Sequence, residues 1–163
     1  MLLGDPYKFS VCFDVIKSWN TDDTFCNGVL FLCINGEIYP KEIVTATLRL
    51  EIETLRQKLS NIAFDKNLFQ MAKEDAFREI YNITYPANIN FCNNYDFSIS
   101  PSIFVDKNCF LFAVSDGSNV RILASQLDYV VAESRHNLSD ITVSEAVLPT
   151  EEIDELVLGL EIS

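Results

Sequence analysis

The chain has 163 residues, 48% apolar and 22% charged, a balance that supports one buried core and excludes a disordered chain. No apolar run exceeds six residues, and the start, Met1-Leu2-Leu3-Gly4-Asp5-Pro6, lacks a basic stretch leading into an apolar one, so neither a membrane span nor a signal peptide is expected. Twenty-four acidic residues against twelve basic give a net charge of −12, which excludes the clustered Lys and Arg that a nucleic-acid surface needs.

In chain order, Phe9, Val11, Phe13 and Val15 alternate with Ser10, Cys12, Asp14 and Ile16, the period of a strand. Residues 19–23 form a polar loop. Residues 29–34 are apolar without a break, which predicts a central strand covered on both faces. Asn35-Gly36 follows at once, with Glu37-Ile38-Tyr39 and Pro40 behind it. Both turn residues tolerate positive φ, so a tight hairpin is predicted, and Pro40 stops the return strand.

Residues 45–53 alternate, with Ala46, Leu48, Leu50 and Ile52 on one side, and predict another strand. The period then changes. Leu55, Leu59 and Ile62 stand at helical spacing behind Thr54-Leu55-Arg56-Gln57, a capping-box pattern. A second helix is predicted over 67–81, with Leu68, Ala72, Ala76 and Ile80 as its stripe and Glu74–Arg78 as an outer pair. Residues 82–94 are loop-like, and 95–99 alternate once more before Pro101.

Residues 109–114 are again apolar throughout. Asp116-Gly117 turns the chain into a return strand around Val120, Ile122 and Ala124. Residues 141–148 predict a last strand. Pro149-Thr150 then opens a helix with Ile153, Leu156, Val157 and Leu160 on one face and four acids in its first turn, where the helix dipole favours negative charge. The predicted class is α+β: mostly antiparallel sheets of about eight strands, two helices mid-chain and one acidic C-terminal helix, in a single domain over residues 1–163.

The chemistry available is sparse. His136 is the lone histidine, in the polar stretch Ser134-Arg135-His136-Asn137, and is expected at the surface. It is the base a small hydrolase reading would use, and no nucleophile motif accompanies it. Five cysteines, none at C-x-x-C spacing, fit a reduced cytoplasmic protein with no metal site. No phosphate-cradling glycine loop occurs, so no cofactor is expected. Trp19, Tyr81, Tyr85 and Tyr129 are candidate interface anchors. The charge is unevenly spread: residues 128–163 hold nine acids against one base, Arg135, and so −8 of the −12 total. Such a surface suits a basic partner.

Several phrases together resemble the immunity protein 42 family: Gly4-Asp5-Pro6-Tyr7-Lys8-Phe9, Ile34-Asn35-Gly36, Tyr39-Pro40-Lys41-Glu42-Ile43, Tyr81-Asn82-Ile83-Thr84-Tyr85-Pro86, Ile99-Ser100-Pro101, and Phe112-Ala113-Val114-Ser115 with Val120-Arg121-Ile122-Leu123-Ala124. The resemblance implies a bacterial immunity protein that binds one cognate toxin C-terminal domain, as in contact-dependent growth inhibition, and is not an enzyme. It implies a toxin that is often a nuclease, a tRNA-directed RNase being favoured, and leaves open a host factor in the toxin complex. It supplies no binding residue. The interface expected from charge is Asp128, Glu133, Glu151, Glu152, Asp154 and Glu155. A non-enzymatic adaptor or chaperone for another basic protein is the alternative. At the level of fold alone, the element order resembles the Whirly arrangement of two four-stranded antiparallel sheets.

Overall fold

A computed structural model of the chain describes residues 1–22 and 26–161. The Asp23 end of the predicted 19–23 loop lies outside them. The first sheet contains β1 (Leu2–Gly4), β2 (Phe9–Val15), β3 (Asn27–Ile34), β4 (Glu37–Tyr39) and β5 (Thr45–Thr47). All pairings are antiparallel, in the order β1-β2-β3-β4, with β5 also on β3. Asn35 and Gly36 both take positive φ, as the hairpin between β3 and β4 demands.

Helix α1 (Leu48–Ser60) follows β5 directly, then α2 (Lys66–Gln70), α3 (Lys73–Thr84) and the short turn α4 (Ser102–Val105). The second sheet is β6 (Cys109–Ser115) and β7 (Asn119–Gln126), joined later by β10 (Ser144–Pro149) in the order β10-β7-β6. Between β7 and β10 stands a small hairpin, β8 (Tyr129–Val130) with β9 (Arg135–His136). Helix α5 (Thr150–Gly159) closes the chain. The α+β class holds, with five and three strands in the two main sheets rather than the four and four of the Whirly layout.

The two sheets differ in cover. In β6, every position from Cys109 to Val114 is buried, as the unbroken apolar run predicts. Cys109, Leu111 and Ala113 face the core shared with the first sheet, α1 and α5, while Phe110, Phe112 and Val114 face α3 through Phe77 and Ile80. In β3 the prediction of two covered faces fails. Leu30, Leu32 and Ile34 are buried, but Val29, Phe31 and Cys33 are only half-buried, so the outer face is covered less than the inner one.

Four further predictions are corrected. Residues 48–53 are helix, not strand. Leu48, Ile52, Leu55 and Leu59 form one buried stripe and Leu50 is 64% exposed, so a helical spacing had coincided with alternation over a few residues. The helix predicted over 67–81 breaks at Met71 and Ala72, both in extended backbone. Arg121 explains the break. Its guanidinium is buried, pairs with Glu145 at 2.7 Å, and donates to the carbonyls of Leu68, Phe69 and Met71 at 3.2, 3.0 and 2.6 Å. A cation on the last carbonyls of α2 ends it there. The outer pair of Arg78 is with Asp75, at 3.4 Å. Residues 95–99 form no strand of their own. They bend along the free edge of β6 through Ile99 N–H to the Leu111 carbonyl, 3.0 Å, and Ala113 N–H to the Phe97 carbonyl, 2.9 Å.

Candidate functional site

The six acids expected at an interface fall into two groups. Glu151, Glu152, Asp154 and Glu155 lie on the first turns of α5, whose start is tied to the β6–β7 turn by Thr150 N–H to the Ser118 carbonyl, 3.0 Å. Ile153 and Leu156 of the same helix, and Leu160 just past its end, are buried in the core, which turns Glu151, Asp154 and Glu155 outward. Asp128 instead precedes the β8–β9 hairpin and Glu133 lies in its turn, beyond the other end of β7. The strand between them spans roughly 25 Å.

Their local chemistry differs. Glu152 is held by Lys8 at 3.1 Å, and Glu133 by Arg135 at 2.7 Å. Both pairs are solvent-exposed and weak, about 0–1 kcal/mol each. Glu151, Asp154, Glu155 and Asp128 carry no ion pair among the described residues. Across the described residues most basic side chains are occupied: eight ion pairs use Lys8, Lys41, Arg56, Lys73, Arg78, Lys107, Arg121 and Arg135. The unpaired carboxylates therefore project a net negative field.

The hairpin end also carries a run of rings. Tyr95 touches Tyr85 with centroids 5.9 Å apart, Tyr85 touches Phe110 at 5.4 Å, Phe110 touches His136 at 5.0 Å, and His136 touches Tyr129 at 5.2 Å. Mostly edge-on, these contacts fix the ring orientations. The two terminal rings are open to solvent, Tyr95 57% and Tyr129 48% exposed. Beside Tyr95 and Tyr85, between α1 and the 98–106 segment, lies a cleft of about 480 Å³ with Asp106 on its wall. Lys58 reaches into the same wall and donates to the Ser100 carbonyl at 2.7 Å; burial pushes its pKa down.

His136 is not the surface residue expected from its polar neighbours. It is half-buried. Its Nδ1 lies 2.7 Å from the Tyr81 hydroxyl and its Nε2 lies 2.8 Å from Asn108 Oδ1. The amide oxygen only accepts, which places the proton on Nε2 and leaves Nδ1 to accept from Tyr81. Burial pushes the Tyr81 hydroxyl up to about 12, keeping it a donor, and lowers the pKa of His136. With both ring nitrogens bonded within the fold, His136 positions Tyr129 and Phe110 and has no lone pair to offer a substrate. Of the other candidate anchors, Tyr81 is buried and structural, Tyr85 is half-buried, and Trp19 is 44% exposed at the far side of the first sheet, beside Asn27 and Thr47. Sequence reasoning missed Tyr95, Asn108 and the role of Arg121. Asn108 offered one signal, standing as an Asn before an apolar strand, a common place for the positive φ it adopts.

The sequence pattern of immunity protein 42 matches residues 1–162. The chain belongs to the immunity protein 42 family. The crystal structure of CdiI from Burkholderia dolosa AUO158 superposes with a TM-score of 0.78 at 24% identity, covering 98% of this chain and 97% of that one. At that identity the likeness speaks for the fold. No curated protein matches. As an immunity protein, this one neutralises a toxin and is not an enzyme; the hydrolase alternative falls with that. None of its described helices is long and apolar enough to cross a membrane.

Proposed function

We propose that the toxin neutralised by this immunity protein is a nuclease delivered by contact-dependent growth inhibition, an RNase acting on tRNA being the favoured kind. The immunity protein acts in the cytoplasm and blocks that enzyme in a non-covalent, stoichiometric complex. The observation carrying this reading is the set of exposed, unpaired carboxylates at two ends of a chain whose basic residues are mostly occupied. A nuclease must hold a polyanion, so the surface around its active site is basic. A negative, folded inhibitor is drawn to that surface and excludes the substrate from it.

The two acidic groups take different parts. The α5 acids, Glu151, Glu152, Asp154 and Glu155, steer the encounter. Asp128 and Glu133 anchor the complex together with Tyr129, because a rigid exposed tyrosine is a residue type enriched in interface hot spots. Charge pairs at close range across such contacts couple by about 1.5–7 kcal/mol.

The experiment is co-expression with the C-terminal domain of the toxin encoded beside its gene. Expected are one-to-one copurification, restored growth, and cleavage of tRNA by the isolated toxin that falls to zero at equimolar immunity protein. Any host factor carried by the toxin would copurify. A toxin domain that binds but cuts no nucleic acid would overturn the nuclease reading.

A further inference from the structure

Residues 80–95 are the longest uncharged stretch of a chain of net −12. Its second half, past the end of α3, presents two large apolar side chains to water: Ile89 is 97% exposed and Phe91 68%. Hydrogen bonds hold this loop in shape. Phe91 N–H donates to the Asn88 carbonyl at 3.1 Å and Asn90 N–H to Asn88 Oδ1 at 2.9 Å. Asn94 N–H donates to the Ile83 carbonyl at 3.2 Å, which brings the loop back to α3. Exposed apolar patches mark interaction surfaces, and a loop already ordered loses little entropy when a partner covers it.

We infer that this loop is an apolar anchor of the toxin complex, with Ile89 and Phe91 seated in an apolar recess of the toxin. The inference rests on the hairpin anchor proposed above, to which the loop is joined. Tyr95 closes the loop, and four ring contacts, none longer than 5.9 Å, lead from it to Tyr129. A standard interface of about 800 Å² per partner is about 30 Å across, so one toxin covers both. The composition follows the anatomy of an interface, a centre poor in charge and rich in aromatics within a polar rim. Phe91, Tyr85 and Tyr95 supply the aromatics; Asp96 beside Tyr95, Asp106 on the cleft wall and Asp128 at the hairpin supply the rim. Charge selects the occupant. A second copy would bring another net −12 against these acids, whereas a basic toxin is drawn to them. Acids attract any basic protein; the fit of two apolar side chains into a matching recess separates one toxin from another.

The test is surface plasmon resonance of the full chain against the isolated toxin domain, with Ile89→Ser/Phe91→Ser as the variant. Both side chains are exposed, so the urea midpoint should match the wild type. The variant complex should dissociate about 30-fold faster, by the same factor at low and high salt, since no charge is altered. The readout is binding, so a toxin that cuts no nucleic acid would remove the nuclease reading and leave the loop standing. A variant that dissociates at the wild-type rate overturns the loop, whatever Asp128→Lys with Tyr129→Ala does at the hairpin. So does a free wild type whose mass in sedimentation equilibrium rises above 18.5 kDa with concentration while that of the variant does not, which would give the loop to a second copy.

Discussion

The two acidic ends of this immunity protein hold similar charges in dissimilar settings. At α5 the carboxylates stand on an exposed helix surface that also carries the aliphatic Leu158, 78% exposed. At the β8–β9 hairpin fewer carboxylates stand beside Tyr129 and next to a ring stack that continues through His136 and Phe110 to Tyr85 and Tyr95. Coulomb attraction acts over about 8 Å at physiological salt and needs no fitted surface. Desolvated contact acts only on touch and needs rigid shape. The α5 end suits the first effect and the hairpin end the second, so charge count alone is a poor guide to where binding energy resides.

Four measurements would break or sharpen this contrast. The largest effect belongs to the strand that joins the ends. Arg121→Met removes the ion pair with Glu145 and the donor to three carbonyls, and should lower unfolding free energy by about 3–5 kcal/mol in a urea titration. Next, Asp128→Lys with Tyr129→Ala should weaken the toxin complex by about 100-fold, chiefly through faster dissociation in surface plasmon resonance. Little change there would move the anchor away from the hairpin. Third, Glu151→Lys with Asp154→Lys and Glu155→Lys should slow association by about 10-fold at low salt, with the difference fading at high salt; a change confined to dissociation would make α5 the anchor instead.

The smallest effect concerns pH. Because burial lowers the pKa of His136 in the folded state, the unfolded chain takes up its proton first. The stability contributed by neutral His136 is present above its ordinary value, about 6.5, and is lost as pH falls through the lowered one. His136→Gln keeps a donor for Asn108 without titrating, so its stability should fall less between pH 7 and pH 5 than that of the wild type. Parallel slopes would mean that the histidine protonates without disturbing its bonds.

Much of the fold was legible because its signals are local. Unbroken apolar runs marked β3 and β6, Asn35-Gly36 marked the first hairpin, and the stripe Ile153, Leu156, Leu160 marked α5. Errors came where two periods overlap or a distant residue intervenes. Leu48 and Ile52 fit both alternation and a helical stripe, and the core of α1 chose the stripe. The 67–81 segment has helical spacing throughout, yet Arg121, some 50 residues away, takes its carbonyls and breaks it. For the candidate site, the residue types were visible but not their grouping. Six acids that read as one region stand at both ends of β7, and Tyr95 and Tyr129 join one ring stack only because β6 and the hairpin bring their neighbours together.

By itself the sequence determined the α+β class, the antiparallel pairing around tight turns, the net negative charge and the family, since each depends on residue type and short spacing. Only the tertiary structure decided that one sheet is covered on both faces and the other on one, that His136 is bonded at both nitrogens, and that the acidic region divides in two. Those outcomes depend on which distant surfaces meet. Burial and hydrogen bonding between residues far apart in the chain are properties of the packed molecule, and no local pattern encodes them.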